Sequence, residues 1–112
     1  MRADIMYIER KLGLNGPARI GRVTWTKSRR GLRYGELLLQ SSRGHGFKSN
    51  YFDTETGDEY WVSRPRRDGQ DRLYPGTVEI DEDAREEYWT RLRRRPDLVN
   101  QMRYRSEGKH RR

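Results

Sequence analysis

One hairpin in the middle of the chain restricts the possible folds more than any other segment. Two runs, residues 47–53 and 58–63, flank a turn of Asp, Thr and Glu residues that closes with Gly57. Glycine readily takes the positive φ that such a turn needs. Beyond the turn, Tyr60 and Val62 alternate with Trp61 and Ser63, as in a strand whose two faces meet different surroundings. The pattern predicts an antiparallel β-hairpin.

Other segments with the residue pattern of β-strands precede and follow this hairpin in the sequence. A leading strand is predicted near residues 5–8, and a second over residues 18–26, whose alternation shifts phase at Gly21 as it would at a β-bulge. Residues 32–40 are predicted to form one strand, and residues 72–80 a bent or edge strand interrupted at Pro75. Glycine-containing turns separate these segments, and no helical pattern occurs between them.

After residue 81 the spacing of apolar residues becomes helical. Ala84, Tyr88 and Leu92 lie four residues apart, which predicts a helix over about residues 83–95. Residues 97–105 can add another turn or two of helix, and residues 106–112 are expected to form a disordered basic tail. The chain is therefore predicted to be a single, mainly β domain over residues 1–105. The expected fold is a small bent antiparallel sheet or SH3-like barrel of five to six strands, closed by the C-terminal helix.

Composition narrows the class of protein further. A length of 112 residues allows one domain, and Leu, Ile, Val and Phe together number only 19, so its core must be small. The absence of cysteine excludes disulfides, thiolate metal sites and cysteine nucleophiles. No apolar run approaches the roughly 20 residues that span a bilayer, and no signal-peptide core follows Met1. We expect a cytoplasmic protein without a cofactor, a metal or a membrane partner, and the sequence leaves its oligomeric state open.

The charges are unevenly distributed along the chain. Residues 1–50 carry 11 Lys and Arg against 3 Asp and Glu, residues 51–87 carry 5 against 12, and residues 88–112 carry 9 against 2. The net charge of +8 is thus concentrated at both ends, around an acidic middle. In the first half, cations alternate with aromatic residues, a combination typical of surfaces that follow a nucleic-acid backbone and stack its bases.

This pattern favours a non-enzymatic module that binds RNA or single-stranded nucleic acid, mainly through backbone phosphates. Trp25 and Tyr34 are the candidate stacking residues, with burial in the core as the alternative for each. The arginines of residues 91–95 and 103–112 would add phosphate contacts without sequence selectivity. The predicted contact residues are Arg19, Arg22, Trp25, Lys27, Arg29, Arg30, Arg33, Tyr34 and Lys48.

A small adaptor or immunity-type protein is the alternative function. The basic regions would then bind an acidic protein surface, or the acidic middle would bind a basic partner. Catalysis has little support, because His45 is the single histidine inside the expected fold and no nucleotide-binding motif is present. The carboxylates of the central hairpin are close enough in sequence to hold a divalent cation, but two of them also occupy ordinary turn positions. They belong to Asp53, Glu55, Asp58 and Glu59.

Four segments resemble a group of short, uncharacterised bacterial proteins. They are residues 16–24 (GPARIGRVT), 50–63 (NYFDTETGDEYWVS), 71–74 (DRLY) and 80–89 (IDEDAREEYW), and the similarity covers about residues 6–92. Such proteins carry the label 1-deoxy-D-xylulose-5-phosphate synthase. A synthase of that kind needs a chain several times longer to hold thiamine diphosphate, and no motif for that cofactor is present. The resemblance implies a compact bacterial family and supplies no site residues.

Overall fold

The computed structural model describes residues 3–12, 16–42 and 49–108. Its strands are β1 (Ala3–Arg10), β2 (Ala18–Trp25), β3 (Gly31–Tyr34), β4 (Leu37–Ser41), β5 (Tyr51–Asp53), β6 (Glu59–Ser63), β7 (Gly76–Ile80) and β8 (Arg103–Ser106). Six of them close into an antiparallel barrel in the order β1-β6-β5-β4-β3-β2, and pairing of β1 with β2 completes the circle. β7 and β8 extend the sheet from β2. The mainly β fold and the barrel predicted from the sequence are confirmed.

Strand β1 is buried on both of its faces. Met6 and Ile8 belong to a core inside the barrel, whereas Ile5 and Tyr7 belong to a second core on its outside. Because each face of the strand is covered, its residues form a continuous apolar run rather than an alternating one. The barrel core also contains Val23, Leu32, Leu39, Tyr60 and Val62, and the outer core contains Ala18, Ile20, Val78, Ile80, Ala84, Tyr88, Trp89 and Tyr104.

Strand β2 shows the same division, and it has no bulge. Its pairing with β1 is unbroken over seven consecutive residue pairs. Ile20 lies in the outer core and Val23 in the barrel core. The alternation of apolar residues shifts phase at Gly21 because the N-terminal part of β2 buries side chains in the outer core and the C-terminal part buries them in the barrel core. The predicted β-bulge is therefore wrong.

The second edge of β2 is shared between two partners. Toward its end β2 pairs antiparallel with β3, and near its start it pairs in parallel with β7. Between these two regions the Tyr34 side chain lies against Gly21, and its hydroxyl donates a hydrogen bond to Asp81. A Cβ atom at position 21 would lie 2.4 Å from a ring carbon of Tyr34 and 2.6 Å from the Asp81 carboxylate. The junction between the barrel and the segments of residues 76–106 that cover it, called the outer layer below, therefore requires glycine.

Residues 32–40, predicted to form one strand, instead form a hairpin. β3 ends at Tyr34, β4 begins at Leu37, and four residue pairs join them. Gly35 between them has a φ of 58°, in the left-handed region that favours glycine. Only Gly35 and Glu36 separate the two strands, so the sequence has no polar loop to mark the turn.

The central hairpin agrees with its prediction. β5 and β6 are antiparallel neighbours, and Gly57 in their connection has a φ of 80°. Tyr60 and Val62 lie in the barrel core, while Trp61 packs against the outer core. β5 begins at Tyr51, later than the predicted start, and residues 47 and 48 of the predicted strand lie outside the described residues.

The C-terminal region differs most from its prediction. The helical segment covers residues 82–92 rather than 83–95 and consists of successive 3-10, α and π turns. Arg94 then takes a positive φ of 55°, and a short 3-10 turn follows from Pro96. Residues 103–106, predicted as helix and disordered tail, form β8, in which Ser106 is fully buried. In β8 two buried residues alternate with two exposed arginines. An alternation of four residues is too short to predict a strand from the sequence.

None of the helices in the described part of the chain is both long enough and apolar enough to cross a membrane. Residues 109–112 of the predicted basic tail lie outside that part.

An aromatic cluster packs the C-terminal region onto the barrel. Tyr88 stacks on Tyr104 with 5.4 Å between ring centroids and meets Trp89 edge-on at 5.0 Å. The guanidinium carbon of Arg93 lies between 5.2 and 5.7 Å from all three ring centroids, and Arg93 donates a hydrogen bond to the Tyr88 hydroxyl. Tyr104 in turn donates a hydrogen bond of 2.7 Å to the buried carboxylate of Asp71. The hydroxyls of the two tyrosines in this cluster, Tyr88 and Tyr104, are therefore both hydrogen-bonded.

Substitution of Gly21→Ala is expected to destabilise the protein by about 1–3 kcal/mol, because the added methyl group overlaps Tyr34 and Asp81. Urea unfolding followed by tryptophan fluorescence measures the change. Gly35→Asn is the control, since nothing lies within 4 Å of a Cβ atom there and asparagine tolerates a positive φ. Equal losses of stability in the two variants would contradict the overlap at position 21.

The buried tyrosines predict a loss of stability at high pH. Burial raises the pKa of Tyr88 to about 12, and burial together with nearby carboxylates raises the pKa values of Tyr7 and Tyr104 further. Their contribution to stability is complete below the ordinary tyrosine pKa of 10.0 and is lost as the pH rises toward the folded-state values. The urea midpoint should therefore fall above pH 10.0, and it should fall less steeply in Tyr88→Phe. The same slope in both proteins would be evidence against this origin.

Candidate nucleic-acid interface

The connection between β2 and β3 is a hydrogen-bonded turn at one end of the barrel. The Thr26 N–H donates to the Gly31 carbonyl at 3.0 Å, and the Thr26 carbonyl accepts from the Arg29 N–H at 3.0 Å. The Ser28 hydroxyl accepts the Arg30 N–H at 3.2 Å. These bonds hold the backbone in one shape while the basic side chains stay exposed. The exposed cations of this turn and of β3, called the basic hairpin below, are Lys27, Arg29, Arg30 and Arg33.

The basic hairpin forms no ion pair with any residue that the structure describes. By contrast, Arg10, Arg66 and Arg103 each meet a carboxylate at 2.9–3.0 Å. The four cations of the basic hairpin therefore remain available to an outside partner. Lys48, which was predicted to join them, lies outside the described residues, as does His45.

Arg19 and Arg22, also predicted as contact residues, are paired within the protein. Arg19 meets Asp81 at 2.6 Å. Arg22 meets Glu87 at 3.0 Å and donates a second hydrogen bond to the Asp83 carbonyl. All three partners follow β7 in the chain, so these two arginines attach the outer layer to β2. Their charges are balanced there, which distinguishes them from the cations of the basic hairpin.

The two candidate stacking residues pack against the barrel core. Both rings are partly buried, and both have their polar atom bonded within the protein. The Trp25 indole N–H donates to the Asp4 carboxylate at 2.9 Å, and the Tyr34 hydroxyl donates to Asp81. Burial, together with the bond to Asp81, raises the pKa of Tyr34 above its ordinary value. Contact with the core is the alternative that the sequence left open for them, and a stacking face has to be sought elsewhere.

The outward faces of β3, β4 and β5 provide such a surface beside the basic hairpin. Leu38 lies in register with Arg33, and Gln40 lies in register with Phe52. Phe52 is partly exposed and belongs to neither core. A groove of about 310 Å³ separates this surface from the turn, and its lining includes Thr26, Ser28, Arg30, Leu38 and Gln40.

Leu38, Gln40 and Phe52 were not selected from the sequence. Phe52 alternates with Tyr51 and Asp53 along β5, so it lies on the opposite face of the strand from those two residues. What the sequence could not show is which face the helical segment would cover. The helical segment packs on β1 and β2, and the outward-facing side chains of β3–β5 belong to neither core.

The carboxylates of the central hairpin form hydrogen bonds within the turn or an ion pair at the surface. Asp53 accepts the Glu55 N–H at 2.8 Å, as in a common turn motif, and Asp58 pairs with Arg10 at 3.0 Å. Glu59 accepts a hydroxyl hydrogen bond of 2.5 Å. Among the residues that the structure describes, no three potential ligands are grouped so that they could hold a metal ion.

Comparison with known proteins assigns no family to this arrangement. No family model matches the chain, and neither a curated protein nor a solved structure is significantly similar to it. The resemblance to short bacterial proteins therefore stays a prediction, and a function has to be argued from the geometry of the site.

Proposed function

We propose that the protein is a non-enzymatic nucleic-acid-binding module that uses the basic hairpin and the adjoining surface of β3–β5. The observation that carries this proposal is the set of four exposed cations that meet no carboxylate among the residues that the structure describes. Arginine forms charge-assisted hydrogen bonds with phosphate oxygens. Because the turn is already held by backbone hydrogen bonds, little backbone ordering is needed when phosphates bind.

The surface next to the hairpin favours a single strand over a duplex. Phe52 offers part of an aromatic face, and Leu38 and Gln40 continue the same surface toward the cations. A single strand can place its bases on such a surface while its phosphates meet the arginines, whereas a duplex keeps its base faces stacked internally. The expected ligand is therefore RNA or single-stranded DNA, which the protein contacts mainly through the phosphate backbone.

The double variant Arg29→Glu/Arg30→Glu is expected to weaken binding of single-stranded RNA by about tenfold or more at physiological salt, because two phosphate-facing charges are reversed. Fluorescence anisotropy with a labelled oligonucleotide measures the affinity. The thermal midpoint should change little, since both side chains are exposed and form no ion pair with the part of the chain that the structure describes.

The matched control compares the single variants Arg30→Glu and Arg67→Glu. Both arginines are exposed and without an ion pair among the described residues, and each reversal changes the net charge by the same amount. Arg67→Glu should weaken binding much less. Equal losses of affinity in the two single variants would mean that the protein attracts nucleic acid only through its overall charge, and would contradict the proposed site.

Phe52→Thr tests the stacking surface. Threonine suits a strand but has no ring, so affinity for single strands should fall by about tenfold, in keeping with the 1–3 kcal/mol that one stacked base contributes. Affinity for duplex DNA should stay the same. Urea unfolding establishes that the variant is folded, and a similar loss for single strands and duplexes would exclude stacking on Phe52.

The same measurements can also favour the alternative function. Binding seen only at low salt, together with a stable, salt-resistant complex with an acidic protein, would replace nucleic acid by a protein partner. The basic hairpin would then be a protein-interaction surface.

A further inference from the structure

A second cleft is lined in part by Asp4, whose carboxylate accepts the indole N–H of Trp25. It has a volume of about 230 Å³ and is formed where the start of β1, the end of β6 and the end of the helical segment meet. Beyond Glu87 and Arg91 it continues into a wider polar groove of about 590 Å³. The residues around the narrower part include Asp4, Ile5, Arg64, Pro65, Arg91 and Leu92.

Two arginines of this cleft have no ion pair within the described residues. Arg64 and Arg91 are both exposed, and each lines the cleft. Glu87 precedes Arg91 by one helical turn, where a salt bridge would be expected, but its carboxylate meets Arg22 at 3.0 Å instead. The Asp4 carboxylate accepts the indole N–H of Trp25. The cleft therefore holds two exposed cations that have no ion pair among the described residues, beside the carboxylate of Asp4 and that of Glu87, which pairs with Arg22.

The remainder of the wall is apolar. Ile5 is a buried residue that lines the cleft, and Pro65 and Leu92 contribute further apolar surface. A ligand that matches this lining has an anionic group for the arginines and a flat or apolar group for the wall. A nucleotide with a terminal phosphate has both, and a phosphomonoester carries more charge than the diesters inside a strand.

We propose that this cleft binds the phosphorylated terminal nucleotide of the strand held by the basic hairpin. The inference rests on the proposed function, and it adds a preference for strand ends. Contacts connect the two sites, because Trp25 ends β2 just before the turn and its indole donates to Asp4, which lines the cleft. Arg64 and Arg91 bind the terminal phosphate, and the base packs on Pro65 and Leu92.

Competition experiments with the full chain test this directly. Unlabelled single-stranded RNAs of one sequence, with a 5′-phosphate, a 3′-phosphate or only hydroxyl ends, displace a labelled strand whose anisotropy is followed. One of the phosphorylated strands should compete about tenfold better than the hydroxyl strand, the effect expected when a charge-assisted contact is gained. Arg64→Gln/Arg91→Gln should remove this difference, whereas the single control Arg67→Gln should keep it.

A second measurement works even if no strand binds. Nucleoside monophosphate is added to the protein while the arginine Nε–Hε NMR signals are recorded. Shifts at Arg64 and Arg91, absent when unphosphorylated nucleoside is added, support the chemistry assigned to the cleft. No shift at millimolar concentration overturns it.

The outcomes separate this inference from the proposed function. Strands that bind equally well with and without a terminal phosphate would overturn the strand-end site and leave the basic hairpin as the nucleic-acid interface. Failure of every strand to bind would overturn the proposed function, and with it the assignment of the cleft to strand ends. Shifts with mononucleotide would in that case identify the free nucleotide as the ligand.

Discussion

Burial of both faces of the β1–β2 ribbon is the constraint on which the rest of the structure depends. With only 19 Leu, Ile, Val and Phe residues, the chain cannot build two independent cores. It lets one ribbon serve both, with Met6 and Ile8 on the barrel side and Ile5 and Tyr7 on the outer side. The outer layer is then attached to that ribbon by ion pairs as well as by packing, through Arg19 and Arg22. The barrel and the outer layer are therefore parts of one folding unit.

Local patterns in the sequence were enough to predict the barrel class and the central hairpin, because Gly57 and the alternation around it are visible over short distances. They were not enough where a strand is buried on both sides or where a turn is very short. Gly21 resembled a bulge because two cores exchange at that point, and Gly35 was hidden because its turn has two residues. β8 was missed because the pairing that makes it a strand is with β7, far away in sequence.

Prediction of the site met the same limit. All the cations of the first half have similar sequence surroundings. Whether each one forms an internal ion pair depends on acidic residues much later in the chain. Asp81 lies 62 residues after Arg19, and Glu87 lies 65 residues after Arg22. No local pattern distinguishes these paired arginines from Arg29 and Arg30. Trp25 and Tyr34 were likewise ambiguous, since an aromatic residue in a barrel strand can face inward or outward with the same spacing.

The strand order also has a consequence for synthesis of the protein on the ribosome. The six barrel strands are complete once residue 63 has emerged, but the helical segment, β7 and β8 come from residues 76–106. Until then, Ile5, Tyr7 and Ile20 lack the buried residues of the later segments that cover them in the folded protein, and the N-terminal part of the second edge of β2 has no partner strand. An apolar face beside an open strand edge is the kind of surface through which nascent chains aggregate. The late segment therefore protects the growing chain in addition to completing the outer core of the folded one.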